Sequence, residues 1–154
     1  MSISELNIRD ARLNDLDLIY AIELETFPDA YPKGLLKAFF FMPGCVLVAE
    51  AEGTIIGYAI GIFKEDGTGH IVSIAVKKKA RRKGAGSALL GTILRRFWSK
   101  SMWRAVLEVR KSNLEAKSLY EKFGFKKKGE VERYYQDGEC AEVMELLLRD
   151  RQRP

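Results

Sequence analysis

The 154-residue chain is poor in the residues that build metal and redox centres: it has two cysteines and one histidine. Cys45 and Cys140 lie far apart and form no C-x-x-C pair, so with His70 alone there is no His/Cys cluster of the zinc-binding kind, and no metal is expected. Both cysteines fall in strand-like apolar stretches and are expected to be buried free thiols. Long hydrophobic runs are missing too. Stretches such as Ala38–Met42 are far short of the ~20 apolar residues that span a bilayer. The first residues, Met1–Glu5, lack the basic-then-apolar layout of a secretory leader, which predicts a cytoplasmic protein away from membranes. No repeat, low-complexity segment or linker interrupts the sequence. With 47% apolar and 31% charged residues it is expected to form one domain over residues 1–154.

What is present is local basicity. The net charge is +5, yet six of the seven residues from Lys77 to Lys83 are basic. Lys126–Lys128 and the tail Arg149–Arg153 read as solvated surface, and Lys77–Lys79 as a solvated strand end. A charge confined to one segment suits a discrete anionic ligand better than a wrapped polyanion. Arg81-Arg82-Lys83-Gly84-Ala85-Gly86-Ser87 stands between an apolar strand ending at Val76 and an apolar-periodic helix, Ala85–Trp98. Glycines let the backbone turn and approach a ligand closely. The amides that open the helix have no internal partner and lie at the positive end of its dipole. Such a corner seats a pyrophosphate.

The rest of the pattern predicts strand Leu6–Ala11, then a helix capped by Asn14 with Leu18, Ile19, Ile22 and Leu24 at helical spacing. A loop through Pro28 and Pro32, a short helix Lys33–Phe41, and a hairpin of Cys45–Ala51 with Thr54–Phe63 about Glu52-Gly53 follow. Strand His70–Val76, the glycine corner and its helix, and strand Arg104–Val109 come next. Asn113 then caps a helix carrying Ala116, Leu119, Tyr120 and Phe123, with Gly124 at its end. A closing hairpin, Phe125–Tyr135 with Glu139–Leu148, turns at Asp137-Gly138. This order implies an α/β protein with a mixed sheet and helices on its faces.

Three nucleotide-type ligands compete for the corner. A P-loop string is absent. A dinucleotide fingerprint fails at its third glycine, where Leu89 stands, although Glu108 falls at the acidic position. The third reading fits at every fixed position. Arg81-x-x-Gly84-x-Gly86 after a strand is the acetyl-CoA loop signature of the GNAT acetyltransferases. Leu107-Glu108-Val109-Arg110-Lys111-Ser112-Asn113 with Ala116, Leu119-Tyr120-Glu121-Lys122-Phe123-Gly124-Phe125 and Arg133-Tyr134-Tyr135-Gln136-Asp137-Gly138-Glu139 resemble the RimI-type and archaeal N-alpha-acetyltransferases of that superfamily. The resemblance runs from about Leu6 to Leu148.

This resemblance implies the GNAT fold: a mostly antiparallel, seven-stranded sheet with splayed central strands, flanked by about four helices. It implies acetyl transfer from acetyl-CoA to protein or peptide N-termini, ribosomal proteins or nascent chains among them; direct attack in a ternary complex is expected because neither cysteine lies in the catalytic motifs. It assigns acetyl-CoA binding to Ile74, Ala75, Val76, Arg81, Arg82, Lys83, Gly84, Ala85, Gly86, Ser87, Asn113 and Tyr120. In it an amide in the Val72–Ile74 stretch polarises the thioester, Glu108 takes the amine proton, Tyr120 protonates the leaving thiolate, and His70 is a second, water-mediated base. Asp29, Tyr31, Glu108, Tyr134 and Tyr135 line the peptide; the related archaeal enzymes carry glutamate where Asp29 stands. From the residues alone, the alternative reading of Glu108 is an exposed strand carboxylate paired with Arg110 or Lys77. A small amine or a lysine side chain is the competing acceptor, and a basic RNA-binding module the reading from another class. Oligomeric state is open.

Overall fold

The computed structural model describes residues 5–151. Residues 1–4, most of the segment read for a leader, and residues 152–154 with the end of the basic tail lie outside them. In chain order the elements are β1 (Leu6–Asp10), α1 (Leu16–Thr26), α2 (Lys33–Phe39), β2 (Gly44–Ala51), β3 (Thr54–Phe63), β4 (Thr68–Val76), α3 (Ala85–Ser99), β5 (Arg104–Arg110), α4 (Leu114–Lys122), β6 (Lys126–Val131) and β7 (Ala141–Leu147). Among the described residues Leu13–Asp15 and Lys78–Ala80 also form single turns of 3-10 helix. The strands form one seven-stranded sheet in the order β1-β2-β3-β4-β5-β7-β6. All the pairings registered here are antiparallel except β4 with β5. That parallel ladder joins Thr68, Gly69 and His70 to Arg104, Ala105 and Val106, whereas β5 pairs with β7 along all seven of its residues.

The chain divides into two compact units, Met1–Ile62 with Ile71–Arg96 and Phe63–His70 with Phe97–Pro154. In the first, Leu16, Ile19 and Ile22 of α1 meet Leu36 and Phe39 of α2 and Val46, Val48, Tyr58 and Ile60 of the β2–β3 hairpin. That hairpin turns at Glu52-Gly53, both at positive φ (52° and 75°), as a tight two-residue connection requires. Arg9 ties the hairpin to the start of α1. It pairs with Glu50 and reaches Asp15 at 2.9 Å. In the second unit Phe97 packs edge-on against Phe63, with ring centroids 5.9 Å apart.

Several expectations are corrected. Asn14 does not cap α1: it sits in the 3-10 turn, and Asp15 stands at the cap position while its carboxylate accepts the Arg12 amide at 2.7 Å. The buried stripe of α1 is Leu16, Ile19, Ile22 and Glu23, so Leu18 and Leu24 face outward. The closing strands are shorter than the apolar pattern suggested, because residues 132–140 form a loop whose turn bond runs from the Gly138 amide to the Tyr135 carbonyl (2.9 Å). Cys45 is buried, and burial pushes its thiol up to about 11; Cys140 is only half-buried. No helix among the described residues is long and apolar enough to cross a membrane.

Candidate active site

Alternation along β5 buries Ala105, Leu107 and Val109 and puts Arg104, Val106, Glu108 and Arg110 on the other face. His70 pairs with Val106, and Glu108 lies two residues further on the same face. The register therefore brings together two groups 38 residues apart in sequence: His70 Nε2 lies 2.8 Å from Glu108 Oε1. The same oxygen accepts a long hydrogen bond, 3.4 Å, from the Tyr134 hydroxyl of the 132–140 loop. Among the described residues Glu108 Oε2 accepts none. Both side chains of the His70–Glu108 pair are about one-fifth exposed, so a solvent-borne amine can reach them.

Arg110 is not the partner of Glu108. Its guanidinium reaches Asp137 Oδ2 at 2.8 Å and Glu139 Oε1 at 2.9 Å and lies over the Tyr135 ring, 4.1 Å from the centroid. Glu139 also accepts the Ser112 amide at 2.8 Å. One cation thus fastens the loop that presents Tyr134. Tyr135, expected to line the peptide, packs on Arg110 and edge-on against Tyr134 (4.9 Å).

On α4 the expected cap is in place: Asn113 Oδ1 accepts the Ala116 amide at 3.1 Å. Gly124, at φ 97°, ends the helix, with the Phe125 amide bonded back to the Tyr120 carbonyl. Tyr120 is the buried residue of α4, its ring edge-on to Phe125. Burial pushes its phenol up to about 12, so it stays protonated across the physiological range. Its hydroxyl has no hydrogen-bond partner among the described residues.

The first unit holds the glycine corner. Arg82 and Gly84 both adopt positive φ (65° and 89°), a conformation that an arginine rarely takes. Among the described residues none of the amides of 82–87, which lead into and open α3, donates to a backbone acceptor outside the helix. This is the donor set a pyrophosphate requires, and Arg82, Lys83 and Ser87 are exposed beside it. Arg81 is used differently. Its Nε donates to the Val76 carbonyl at 3.0 Å, so it clasps the loop to the end of β4, and Val76 O is already engaged. Ile74 and Ala75 lie on β4 as expected, and Lys78 and Lys79 are exposed. Asp29 and Tyr31 lie in the loop between α1 and α2, where the Tyr31 ring meets Phe39 edge-on.

One polar cluster escaped the sequence reading. Glu23 is 1% exposed on α1, and its carboxylate accepts hydrogen bonds from the Tyr58 hydroxyl and the Tyr31 backbone amide. The available signal was position: Glu23 continues the spacing of Leu16 and Ile19 at i+7 and i+4. Among the described residues no group of three or more His, Cys, Asp or Glu side chains could hold a metal ion.

Residues 16–125 match the Acetyltransferase (GNAT) family. An uncharacterized N-acetyltransferase of Methanocaldococcus jannaschii is 40% identical over 139 residues, covering 89% of this chain and 88% of that one. The N-alpha-acetyltransferase of Sulfurisphaera tokodaii is 37% identical over 164 residues, covering 94% of each. The crystal structure of Ard1 from Thermoplasma volcanium superimposes with a TM-score of 0.89 at 26% identity, over 95% of this chain and 99% of that one. The seven-stranded mixed sheet, the glycine corner that opens α3 and the family match over most of the length lead to one conclusion: this chain belongs to the GNAT acetyltransferase family.

Proposed function

We propose that this protein transfers the acetyl group of acetyl-CoA to the N-terminal α-amino group of a protein or peptide within a ternary complex, as a single domain. The observation that carries the reading is the Glu108 carboxylate, steadied through Oε1 by His70 and Tyr134 with Oε2 left open. Bound acetyl-CoA supplies the activated thioester. The amides of residues 82–87 hold its pyrophosphate, with Arg82 and Lys83 as charge partners. Ile74 and Ala75 offer backbone along β4 to its amide arm, as a sheet edge accepts a peptide. An amide in the Val72–Ile74 stretch stabilises the oxygen on which charge develops.

Near pH 7.5 about a third of α-amino groups are neutral, against about one lysine in a thousand. The His70–Glu108 pair therefore has little to do before attack. Once the carbon–nitrogen bond forms, Glu108 Oε2 takes the amine proton, and His70 holds the carboxyl in place through its 2.8 Å contact with Oε1. As the carbon–sulfur bond breaks, the Tyr120 hydroxyl gives its proton to the departing sulfur and recovers one through solvent, into which Glu108 releases the amine proton. Neither thiol takes part. Cys45 is buried and held protonated, and Cys140 adjoins the start of β7.

The test is acetylation of a peptide panel with varied first residues, read by mass. α-Amine products are expected, with Glu108→Gln lowering kcat about 10²–10⁴-fold. Acetylation confined to lysine side chains or polyamines would overturn the acceptor. Parallel double-reciprocal lines with acetyl trapped on a cysteine would overturn the ternary mechanism.

A further inference from the structure

We infer that Glu23, a residue outside the transfer chemistry, is the positioning residue of the acceptor loop between α1 and α2. The inference rests on the function proposed above. Its basis is a closed set of hydrogen bonds in the first unit. Glu23 Oε1 accepts from the Tyr58 hydroxyl of β3 and, at 3.4 Å, from the Ser73 hydroxyl of β4. The Tyr58 and Ser73 oxygens are themselves 3.0 Å apart. Glu23 Oε2 accepts the backbone amide of Tyr31 at 2.9 Å. Glu23 and Tyr58 are essentially inaccessible to solvent, and no Lys or Arg side chain among the described residues pairs with the carboxylate.

A buried carboxylate without a counter-cation is an expensive way to fill a core, and apolar residues of the same volume commonly match or exceed its stability. What it contributes is geometry. Both its oxygens are engaged, Tyr58 is held as a donor by burial beside a negative charge, and Ser73 closes the ring. Of the donors only the Tyr31 amide belongs to no helix or strand. The two oxygens thus convert the fixed positions of β3 and β4 into a fixed position for Tyr31, with Asp29 two residues before it. The Tyr31 ring is held in turn on Phe39 of α2, centroids 5.9 Å apart. The loop that receives the acceptor is set from inside the core, on the strand that also presents the thioester-polarising amide.

Glu23→Gln keeps the volume but offers one acceptor and one donor where two acceptors stood, so one of the flanking donors loses its partner. The expected result is a KM for the acceptor peptide raised at least tenfold, with the KM for acetyl-CoA within twofold and kcat at saturating peptide within threefold of wild type. In the substrate-free protein, hydrogen exchange at the Tyr31 amide, read by NMR, should quicken at least tenfold. Tyr58→Phe leaves the carboxylate–Tyr31 bond but removes one of the two donors to Oε1, leaving only the long 3.4 Å contact from Ser73. It should raise the peptide KM about threefold, and it carries the test if Glu23→Gln does not fold. Peptide KM within twofold of wild type in a folded Glu23→Gln or, failing that, Tyr58→Phe protein would overturn the inference, as would an equal rise in the KM for acetyl-CoA. The exchange measurement needs no substrate. A wild-type protein that acetylates only small amines would therefore sink the proposed function, while an unchanged exchange rate at Tyr31 in Glu23→Gln would sink the anchor separately.

Discussion

Gly69→Ala tests whether the packing behind β4 sets the position of His70. A β-carbon at Gly69 would lie 2.5 Å from Cδ2 and Cγ of Phe97 and 2.7 Å from its Cδ1. Ordinary carbon contacts are about 3.5–4.0 Å, so the ring or the strand must retreat by about 1 Å. The ring has nowhere to go: Phe97 is fully buried and braced by Phe63. Overpacking of this kind costs about 1–3 kcal/mol. At this chain length that lowers the melting temperature by about 2–12 °C. Strand movement also draws His70, the next residue and the last in the β4–β5 ladder, from its 2.8 Å contact with Glu108. Displacements near 1 Å reduce turnover by up to about 10²-fold. Phe97→Leu opens space at the same point, so the double variant should be more stable than the sum of the two single effects by about 1 kcal/mol or more, and should regain activity. Thermal and denaturant melts of the four proteins, with kcat/KM on one peptide, complete the cycle. Additivity within about 0.5 kcal/mol, or a Gly69→Ala melting point within 1 °C of wild type, would refute the reasoning.

Two further outcomes follow from the site and the fold. Tyr120→Phe removes a hydroxyl that has no partner among the described residues, so the melting temperature should stay within about 2 °C while kcat falls about 10²-fold; a kcat within threefold of wild type removes Tyr120 from the proton path. The Arg9 guanidinium holds the Asp15 carboxyl below its ordinary value, so the stabilisation is complete above about pH 4 and is lost as the pH falls through the depressed value. Asp15→Asn should therefore melt below wild type at pH 7, with the gap closing toward pH 2. A gap that stays constant over that range contradicts the assignment.

What could be read from the sequence was what short-range pattern dictates. The Glu52-Gly53 hairpin, the Asn113 cap and the Gly124 terminus each rest on residues within a turn of one another, and each stands where it was expected. The glycine corner was legible because Arg81, Gly84 and Gly86 combine with the strand before them and the helix after. Asn14 misled because Asp15, one residue later, makes the stronger acceptor for the turn that precedes α1. Leu18 and Leu24 misled because an apolar residue on an outward face costs little, whereas Glu23 faces inward thanks to donors 8, 35 and 50 residues away. The pairing of His70 with Glu108 needs the β4–β5 register, and the turning of Arg110 from Glu108 to the far loop needs the fold of residues 132–140. No local window holds either.

The fastening of that loop on Arg110 divides labour between alternate positions. Tyr135, Asp137 and Glu139 grip the guanidinium, while Tyr134 looks toward the carboxylate of β5. The anchorage on Arg110 and the contact with Glu108 reside in interleaved side chains of one short segment. On the function proposed above, an exchange at position 134 should alter the contact with Glu108 while the mooring on Arg110 beneath stays intact.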